Sequence, residues 1–314
     1  MTVIGLIGCG NWGRNILRDL IQLGCTVCVA DIDSGARVRA TAGGAADVFS
    51  RWDELPDCDG YVVAVPIPSL TAVTSDLLKF KKPIFSEKTL CLSMNDCELL
   101  RERGGENYVF VMHKWHYHPG IEALRQVAGS GKIGIIGEVC TTRHAWVEDF
   151  HGGDVFWTQA VHDLTIIKHI LGYIPEKIRA INVIKNERGL PVSLTAIMGE
   201  NPAVILSVSG IHCDKVSGVS IHGNKGSAML RNALDPSLTV TTGDGVEKIP
   251  IDTTFPLYRE LKEFTEYVQG GSRPRCDLHS AREITCAILN LRTAAGLDRF
   301  WDQGKNQKCK GVDQ

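Results

Sequence analysis

The sequence predicts an α/β fold with two domains: an N-terminal domain built on a parallel sheet, then a C-terminal α+β domain with an open, mostly antiparallel sheet. The chain has 314 residues, about twice the length of an average domain. Short apolar runs alternate with helical patterns through the first third, which is typical of parallel βαβ units. Long β-rich segments follow beyond about Pro119. We expect the first domain over residues 1–115 and the second over 116–314.

The strands of the first domain are predicted from apolar runs that are bounded by turn residues. A helix is predicted between the first two strands, from Asn11 to Leu23, because its apolar residues fall on one face and Gly24 follows as a C-terminal cap. The predicted strands are Val3–Ile7, Thr26–Ala30, Tyr61–Val65, Pro83–Ser86 and Tyr108–Met112.

The second domain shows period-two alternation over several segments, which indicates strands with one buried face. Its predicted strands are Glu138–Val147, Lys177–Lys185, Val192–Met198, Ala203–His212 and Val219–Leu230. Its predicted helices are Ile121–Val127, Phe156–Leu171, Leu257–Val268 and Ser280–Ala295, of which the last can pack back on the first domain. An open sheet leaves one face on which alternating apolar residues need cover, so we expect a homodimer or homotetramer.

Composition excludes several classes of partner. Lys and Arg total 34 against 36 Asp and Glu, a net charge of -2 that offers no basic surface to nucleic acid. No apolar run approaches the ~20 residues that span a bilayer, and the chain enters a strand at Val3 without a leader segment. We therefore expect a cytoplasmic protein with no membrane partner. The 11 cysteines are then expected to be reduced, and the Cys25/Cys28 pair, which lacks a second pair for zinc, to pack in the core.

A glycine-rich segment, Gly8-Cys-Gly-Asn-Trp-Gly13, follows the first strand and opens the first helix. In that context the glycines form a dinucleotide-binding fingerprint, and the first domain is predicted to be a Rossmann domain that binds NAD. The first glycine permits the tight turn, the second lets the backbone approach a pyrophosphate, and the third allows close packing of helix and strand. Cofactor contacts are expected from Gly8, Cys9, Gly10, Asn11, Trp12 and Gly13.

The cofactor preference is predicted from the end of the second strand, where Asp31 can accept hydrogen bonds from the adenosine ribose. Its charge, with that of Asp33, would repel the 2′-phosphate of NADP. Arg37 and Arg39 leave NADP open as the less favoured cofactor. Further cofactor contacts are expected at the ends of later strands, from Pro66, Glu87 and Lys88.

Two residues are candidates for the chemistry of hydride transfer. Lys88 follows the strand at Pro83–Ser86, and strand ends on this side of a doubly wound sheet face the cofactor crevice. His162 lies in a helical pattern with apolar neighbours, where a histidine is usually structural, although imidazole suits a base near neutral pH.

A histidine-rich segment, His113-Lys-Trp-His-Tyr-His118, lies at the passage between the domains. Zinc is conceivable there, but residues 113 and 116 would point to opposite faces of a strand or turn. We therefore predict no metal and prefer a polar wall of the substrate site. Substrate contacts are expected from Lys114, His116, Tyr117, Trp157, Thr158 and Asp163.

Together these motifs resemble the glucose-fructose oxidoreductase and inositol dehydrogenase (Gfo/Idh/MocA) family, and the resemblance extends to about Gly296. It is carried by Gly8–Gly13, by Glu87-Lys88 where the family has Glu-Lys-Pro, and by Trp157–Asp163 where many members have Asp-x-Gly-x-His. Within the family, Gly10–Asn15 and His116–Pro119 look most like the branch that oxidises carbon 3 of nucleotide-linked sugars.

The resemblance implies that Lys88 and His162 flank a sugar hydroxyl beside the nicotinamide, with His162 as general base and Lys88 as its orienting partner. Hydride would pass between a ring carbon of a sugar, nucleotide sugar or cyclitol and the cofactor. The sequence departs from the family pattern at Thr89, Leu70, Val161 and His116. The last of these replaces an arginine, which favours a neutral sugar over an acidic one, although a protonated His116 could still bind an anion.

Two other functions remain open from the sequence alone. One is a non-catalytic NAD-binding regulator of the same fold, against which the retained Lys88 and His162 argue. The other is a reductase of a non-sugar carbonyl or imine metabolite, for which the altered pocket at His116, Trp157 and Thr158 leaves room.

Overall fold

The first sheet is the parallel sheet that the sequence predicts. A computed structural model of the chain describes residues 2–150, 152–252 and 254–297. The strands pair in the order β3-β2-β1-β4-β5-β6, all parallel, which is the order of a Rossmann domain. They are β1 (Val3–Ile7), β2 (Thr26–Ala30), β3 (Asp47–Phe49), β4 (Gly60–Val63), β5 (Ile84–Ser86) and β6 (Val109–Val111).

Helices cover both faces of this sheet, which is why its central strands are continuous apolar runs. The first-domain helices are α1 (Gly13–Gln22), α2 (Ser34–Ala42), α3 (Ile67–Leu77), α4 (Met94–Glu102) and α5 (Gly105–Tyr108). Gly24, with a φ of 82°, follows the end of α1 and takes the left-handed conformation expected of a cap.

The second sheet is open and mostly antiparallel, so the predicted fold class is confirmed. Its order is β14-β13-β12-β11-β7-β10-β9-β8, and the β10/β7 pair is parallel. Its strands are β7 (Ile136–Trp146), β8 (Ile178–Lys185), β9 (Pro191–Met198), β10 (Ala203–Ser209), β11 (Ile211–Gly223), β12 (Gly226–Leu230), β13 (Ser237–Thr242) and β14 (Gly245–Pro250).

One face of this sheet packs on helices. The helices of the second half of the chain are α6 (Pro119–Gly129), α7 (Val161–Leu171), α8 (Pro256–Val268) and α9 (Leu278–Ala294). Val139 and Thr141 of β7 face the core, whereas the side chains that alternate with them remain partly exposed. The sheet therefore has a face turned away from the core, which we call the open face.

The C-terminal helices return to the first domain. Phe264 of α8 stacks on Phe85 of β5 with ring centroids 5.0 Å apart. Leu278 at the start of α9 packs in a core cluster of the first domain, and Ile288 further along packs in the core of the second. The two domains are therefore joined by helix packing as well as by the chain connection between them.

Several predicted elements were wrong in extent. The segment Val219–Leu230 is not one strand but the end of β11 and all of β12, which form a hairpin. The strands β3, β13 and β14 were not predicted, because β3 has only three residues, β13 is rich in threonine and β14 is largely exposed, so each gives little apolar pattern. The predicted helix Phe156–Leu171 begins as a π-helical turn over Phe156–Ala160.

Within the described ranges, no helix combines the length and the apolar character that crossing a membrane requires.

Candidate active site

A cavity of about 1130 Å³ runs along the carboxyl ends of the first sheet, where ligands bind in doubly wound folds. It contains most of the residues predicted for the cofactor and the chemistry. These are Gly8, Gly10, Asn11, Trp12, Gly13, Asp31, Pro66, Glu87, Lys88, Lys114, Thr158 and His162. The structure thus brings residues from six separate parts of the sequence to one cleft.

The glycine turn has the shape that a pyrophosphate needs. Gly8 has a φ of 90°, and a Cβ at Gly13 would lie 2.3 Å from the carbonyl oxygen of Gly8. Around Gly10, by contrast, a Cβ would meet no atom within 4 Å. The space beside Gly10 is therefore an open cradle at the start of α1, where unpaired N–H groups can bind an anion. These residues fit a dinucleotide.

Asp31 is held in place by the main chain. Its Oδ2 atom accepts a hydrogen bond from the N–H of Cys9 at 2.7 Å, and its Oδ1 atom accepts one from the N–H of Asp33 at 2.9 Å. Each carboxylate oxygen can accept a further bond, so the group remains able to bind ribose hydroxyls. The Cys9 side chain itself is fully buried and does not line the cavity.

Two cations also line the cavity. Arg39 forms an ion pair with Asp33 at 3.3 Å, and Arg51 forms one with Asp53 at 2.6 Å. Arg37, the other cation weighed from the sequence, donates to the carbonyl oxygen of Asp31 at 2.8 Å. Each arginine thus has an acceptor within the protein.

Glu87 ties the glycine turn to the end of β5. Its Oε1 atom accepts a short hydrogen bond from the indole N–H of Trp12, and its Oε2 atom accepts one from the N–H of Lys88 at 3.0 Å. Lys114 lies over the Trp12 ring, with its Nζ atom 4.8 Å from the centroid. Burial raises the pKa of Glu87, although the nearby charges of Lys88 and Lys114 act in the opposite direction.

Lys88 contacts the helical segment that carries His162. Its Nζ atom donates to the carbonyl oxygen of Thr158 at 3.3 Å, and the neighbouring hydroxyl of Thr89 donates to the carbonyl oxygen of Trp157 at 2.7 Å. Thr89 thus fastens this turn to the first domain. Burial lowers the pKa of Lys88 to about 8. The amine is therefore mostly charged at neutral pH and loses its proton as the pH rises through about 8.

His162 is neutral in this setting. Burial, and then the positive charge of Lys88, hold its pKa well below the usual value. Its ring meets the ring of Trp115 edge to face, with centroids 6.2 Å apart. A neutral imidazole in the cleft can accept a proton, which is the property that a general base requires.

The turn before His162 is held in place by the buried ion pair of Asp154 and Arg292. Asp154 is fully buried, and its Oδ1 atom accepts a hydrogen bond from the N–H of Phe156 at 2.9 Å. Its Oδ2 atom accepts one from the guanidinium of Arg292 on α9. The carboxylate thus caps the π-helical turn and holds it against the last helix.

His116 and Tyr117 do not lie where the sequence predicts. Neither lines the cavity, because residues 114–117 form a 3-10 turn that directs both side chains into the interior. The Nδ1 atom of His116 lies 3.1 Å from Nδ1 of His169, and the hydroxyl of Tyr117 donates to Glu263 at 2.9 Å. Burial lowers the pKa of His116 to about 2, which keeps it neutral and unable to bind an anion.

The other histidines of this segment have packing roles. The Nδ1 atom of His118 accepts a hydrogen bond from the N–H of Gly120 at 3.1 Å and so caps α6. His113 is buried beside the hydroxyl of Thr165, and burial lowers its pKa to about 3.

Trp157 and Asp163 also lie behind the cavity rather than in it. Trp157 is 1% exposed, and Asp163 forms a buried ion pair with Arg143 of β7 at 2.6 Å. The π-helical turn is the reason, since it rotates these positions toward the core while Thr158 and His162 face the cleft. The contribution of Asp163 to the cavity is indirect. It holds Arg143, whose positive charge lowers the pKa of Lys88 and of His162.

Sequence reasoning missed part of the cleft. The segment after β3 contributes Arg51, Trp52 and Asp53. The segment after β7 contributes Val147 and Phe150. The first group escaped notice because β3 itself was not predicted. The second group was not predicted, because the glycine-rich segment between Phe150 and Val155 carries no motif that indicates contact with the first domain.

Comparison with known proteins identifies the first domain. Residues 2–113 match the Gfo/Idh/MocA oxidoreductase family, described as an NAD-binding Rossmann fold. An inositol 2-dehydrogenase of Burkholderia cenocepacia is 30% identical over 182 residues, which cover 54% of this chain and 54% of that protein. The aligned region thus spans about half the length of that relative.

Solved structures show the same fold across the whole described chain. An oxidoreductase of Agrobacterium radiobacter, in complex with NAD+, L-tartaric acid and magnesium, has a TM-score of 0.83 at 16% identity, covering 94% of this chain and 96% of that one. A UDP-N-acetylglucosamine 3-dehydrogenase of Acidithiobacillus ferrooxidans has a TM-score of 0.83 at 20% identity, covering 93% and 97%. The first domain thus resembles the NAD-binding domain of the Gfo/Idh/MocA oxidoreductases, and the described chain shares its fold with these two solved structures.

Proposed function

We propose that this protein is an NAD-dependent oxidoreductase that transfers hydride between a ring carbon bearing a hydroxyl group and nicotinamide. The observation that carries the proposal is the shared cavity, which contains the glycine turn, Asp31, Lys88 and His162. The substrate class is a sugar, a nucleotide sugar reacting at carbon 3, or a cyclitol. The inositol dehydrogenase and the nucleotide-sugar dehydrogenase among the similar proteins support this class.

NAD, when bound, supplies the nicotinamide ring that accepts or donates the hydride. We propose that Gly8, Gly10 and Gly13 receive its pyrophosphate and that Asp31 receives its adenosine ribose. Asn11, Trp12, Pro66 and Glu87 line the same cavity and complete the cofactor contacts. NAD is preferred over NADP because the Asp31 carboxylate would repel a 2′-phosphate.

His162 is proposed as the general base and Lys88 as its electrostatic partner. Oxidation of a secondary alcohol releases the hydroxyl proton, and the neutral imidazole of His162 can take it up at Nδ1 or Nε2. The ammonium group of Lys88 stabilises the negative charge that develops on the substrate oxygen. Lys114 and Thr158, which line the cavity close to these two residues, are proposed as substrate contacts.

A substrate screen tests this function. Purified protein is mixed with NAD or NADP and a panel of sugars, nucleotide sugars and inositols, and absorbance is recorded at the nicotinamide band. We expect reduction of NAD with members of one of these groups. Tight NAD binding without turnover on the panel would favour the regulator of the same fold. Oxidation of NADH by non-sugar carbonyl or imine compounds alone would favour a reductase of such metabolites.

We further propose that the protein acts as a homodimer or homotetramer. The apolar residues that alternate along the second sheet are largely covered by helices of the same chain, so the proposal depends on the open face instead. Ile197 and Ile205 lie partly exposed among small polar residues on that face. A mass from light scattering at micromolar concentration decides it, and a monomer would remove the proposal.

A further inference from the structure

Three side chains with metal-binding atoms converge on the open face of the second sheet, outside the proposed active site. Glu138, Cys140 and His222 each offer one such atom, and the three atoms all lie within 4.8 Å of one another. The Sγ atom of Cys140 is 3.2 Å from an Oε1 oxygen of Glu138. All three residues are partly exposed in a single chain, and Cys140 pairs with Ile205, so the cluster lies beside the surface proposed to contact a second copy.

The strand register produces this convergence. β7 and β11 are antiparallel neighbours in which Glu138 pairs with His222 and Cys140 pairs with Ser220. Paired residues and residues two apart on one strand share a face. The buried positions Val139 and Ile221 alternate with these four, which puts the four on the face turned away from the core.

We propose that Glu138, Cys140 and His222 bind a divalent transition-metal ion, with zinc as the best match. Zinc binds sulfur, nitrogen and oxygen donors in a tetrahedral arrangement with bonds of about 2.0–2.3 Å, which separates ligand atoms by about 3.3–3.8 Å. The Cys140 and Glu138 atoms, 3.2 Å apart, lie just below this range. A small rotation of the three side chains completes the set, and water takes the fourth position.

Ser220 supports the site from the neighbouring position. Its hydroxyl lies 2.9 Å from Nε2 of His222, which leaves Nδ1 as the nitrogen that binds the ion while this hydrogen bond orients the ring. Hydrogen bonds of this kind fix the rings of metal-bound histidines. A thiolate and a carboxylate also neutralise the two positive charges of the ion. Because zinc binds the thiolate form of cysteine, metal binding at neutral pH must release the thiol proton.

The site is remote from the cavity, which assigns it a structural role. Val147 lines the cavity beyond the end of β7, and Cys140 precedes it by seven residues, or about 23 Å of extended strand. A bound ion would crosslink β7 and β11 at the centre of the sheet. The inference is independent of the proposed dehydrogenase activity.

Zinc titration of protein stripped with EDTA tests the site. Calorimetry with zinc chloride in two buffers of different ionisation enthalpy should give about one ion per chain and release of a proton. Cobalt chloride should give the near-ultraviolet absorption of a thiolate–cobalt bond together with the visible bands of tetrahedral cobalt. The thermal midpoint of unfolding should rise when zinc is added.

Variants assign the ligands. Cys140→Ser and His222→Gln should each weaken zinc binding more than about 100-fold, and Ser220→Ala about 10-fold to 100-fold. Cys213→Ser is the matched control, because Cys213 is exposed on β11 outside the cluster, and His212→Gln tests a competing pair of histidines. His212 also stacks on His144 at 4.1 Å and could bind zinc fortuitously.

Two results would overturn the assignment. One is an absence of stoichiometric zinc binding by folded wild-type protein. The other is binding that survives Cys140→Ser but disappears in His212→Gln, which would assign the ion to the His144/His212 pair.

Discussion

The Nζ atom of Lys88 donates a hydrogen bond to the carbonyl oxygen of Thr158 at 3.3 Å. The contact joins the end of β5, in the cofactor domain, to the π-helical turn that leads to His162 in the second domain. It holds the ammonium group at the point where the two halves of the cleft meet. The proposed catalytic pair thus depends on packing between residues about 70 positions apart.

The pH profile of turnover should report the titration of Lys88. Burial lowers its pKa to about 8, so the ammonium form is present below that pH and is lost above it. We expect kcat/KM for alcohol oxidation to fall as the pH rises through about 8. In Lys88→Arg, whose guanidinium stays charged, any remaining activity should lack this decline. A rise in kcat/KM through pH 8 would instead mean that Lys88 acts as a neutral base.

The cofactor preference should depend on Asp31. Wild-type protein is expected to bind NAD more tightly than NADP, and Asp31→Ser should reduce that preference, because it removes the carboxylate that binds the ribose and repels the 2′-phosphate. Fluorescence titration with both cofactors measures the change. Asp53→Ser is a matched control, since Asp53 lines the same cavity but forms an ion pair with Arg51. Equal affinities in the wild type would contradict the assignment.

Two glycines of the same turn should respond differently to alanine. Gly10→Ala adds a Cβ that meets no atom within 4 Å, so the fold should be retained while NAD binding weakens at least about 10-fold. Gly13→Ala puts a Cβ 2.3 Å from the Gly8 carbonyl oxygen and should destabilise the protein itself. Thermal unfolding and NAD titration of both variants separate the two effects. Undiminished NAD affinity in Gly10→Ala would contradict the proposed pyrophosphate position.

The buried pair of Asp154 and Arg292 should be important for stability. Arg292→Met leaves the Asp154 carboxylate buried without its cation, and we expect a loss of about 3–5 kcal/mol in the free energy of unfolding. Asp154→Asn in the same chain should recover part of the loss. Urea denaturation measures both changes. Arg101→Met is the control, because it breaks an exposed pair with Glu98 and should change stability by less than about 1 kcal/mol.

Much of the proposed cofactor site has a predictable local structure, because its signals are local. The conformation of Gly8, the close packing at Gly13 and the position of Asp31 all follow from a strand, a turn and a helix that are adjacent in sequence. The same locality explains the prediction of Lys88 at a strand end. The positions of these residues follow from the order of strands and helices alone, and apolar periodicity indicates that order.

The substrate side could not be predicted in this way. Whether His116 and Trp157 face the cleft or the core depends on a 3-10 turn and a π-helical turn, which periodicity does not reveal. Arg143 and Arg292 acquire their roles only through partners on distant elements. The direction of these side chains is a property of tertiary packing.

The most direct measurement is the turnover of Lys88→Met and His162→Asn on a substrate identified by the screen. Both variants should lower kcat by about 10²-fold to 10⁴-fold, because each removes a group that acts on the hydroxyl in the transition state, while NAD affinity stays within a few-fold. Lys177→Met and His279→Asn, at exposed positions, should keep wild-type activity. Near-full activity in Lys88→Met or His162→Asn would contradict the role of that residue, and near-full activity in both would contradict the proposed active site.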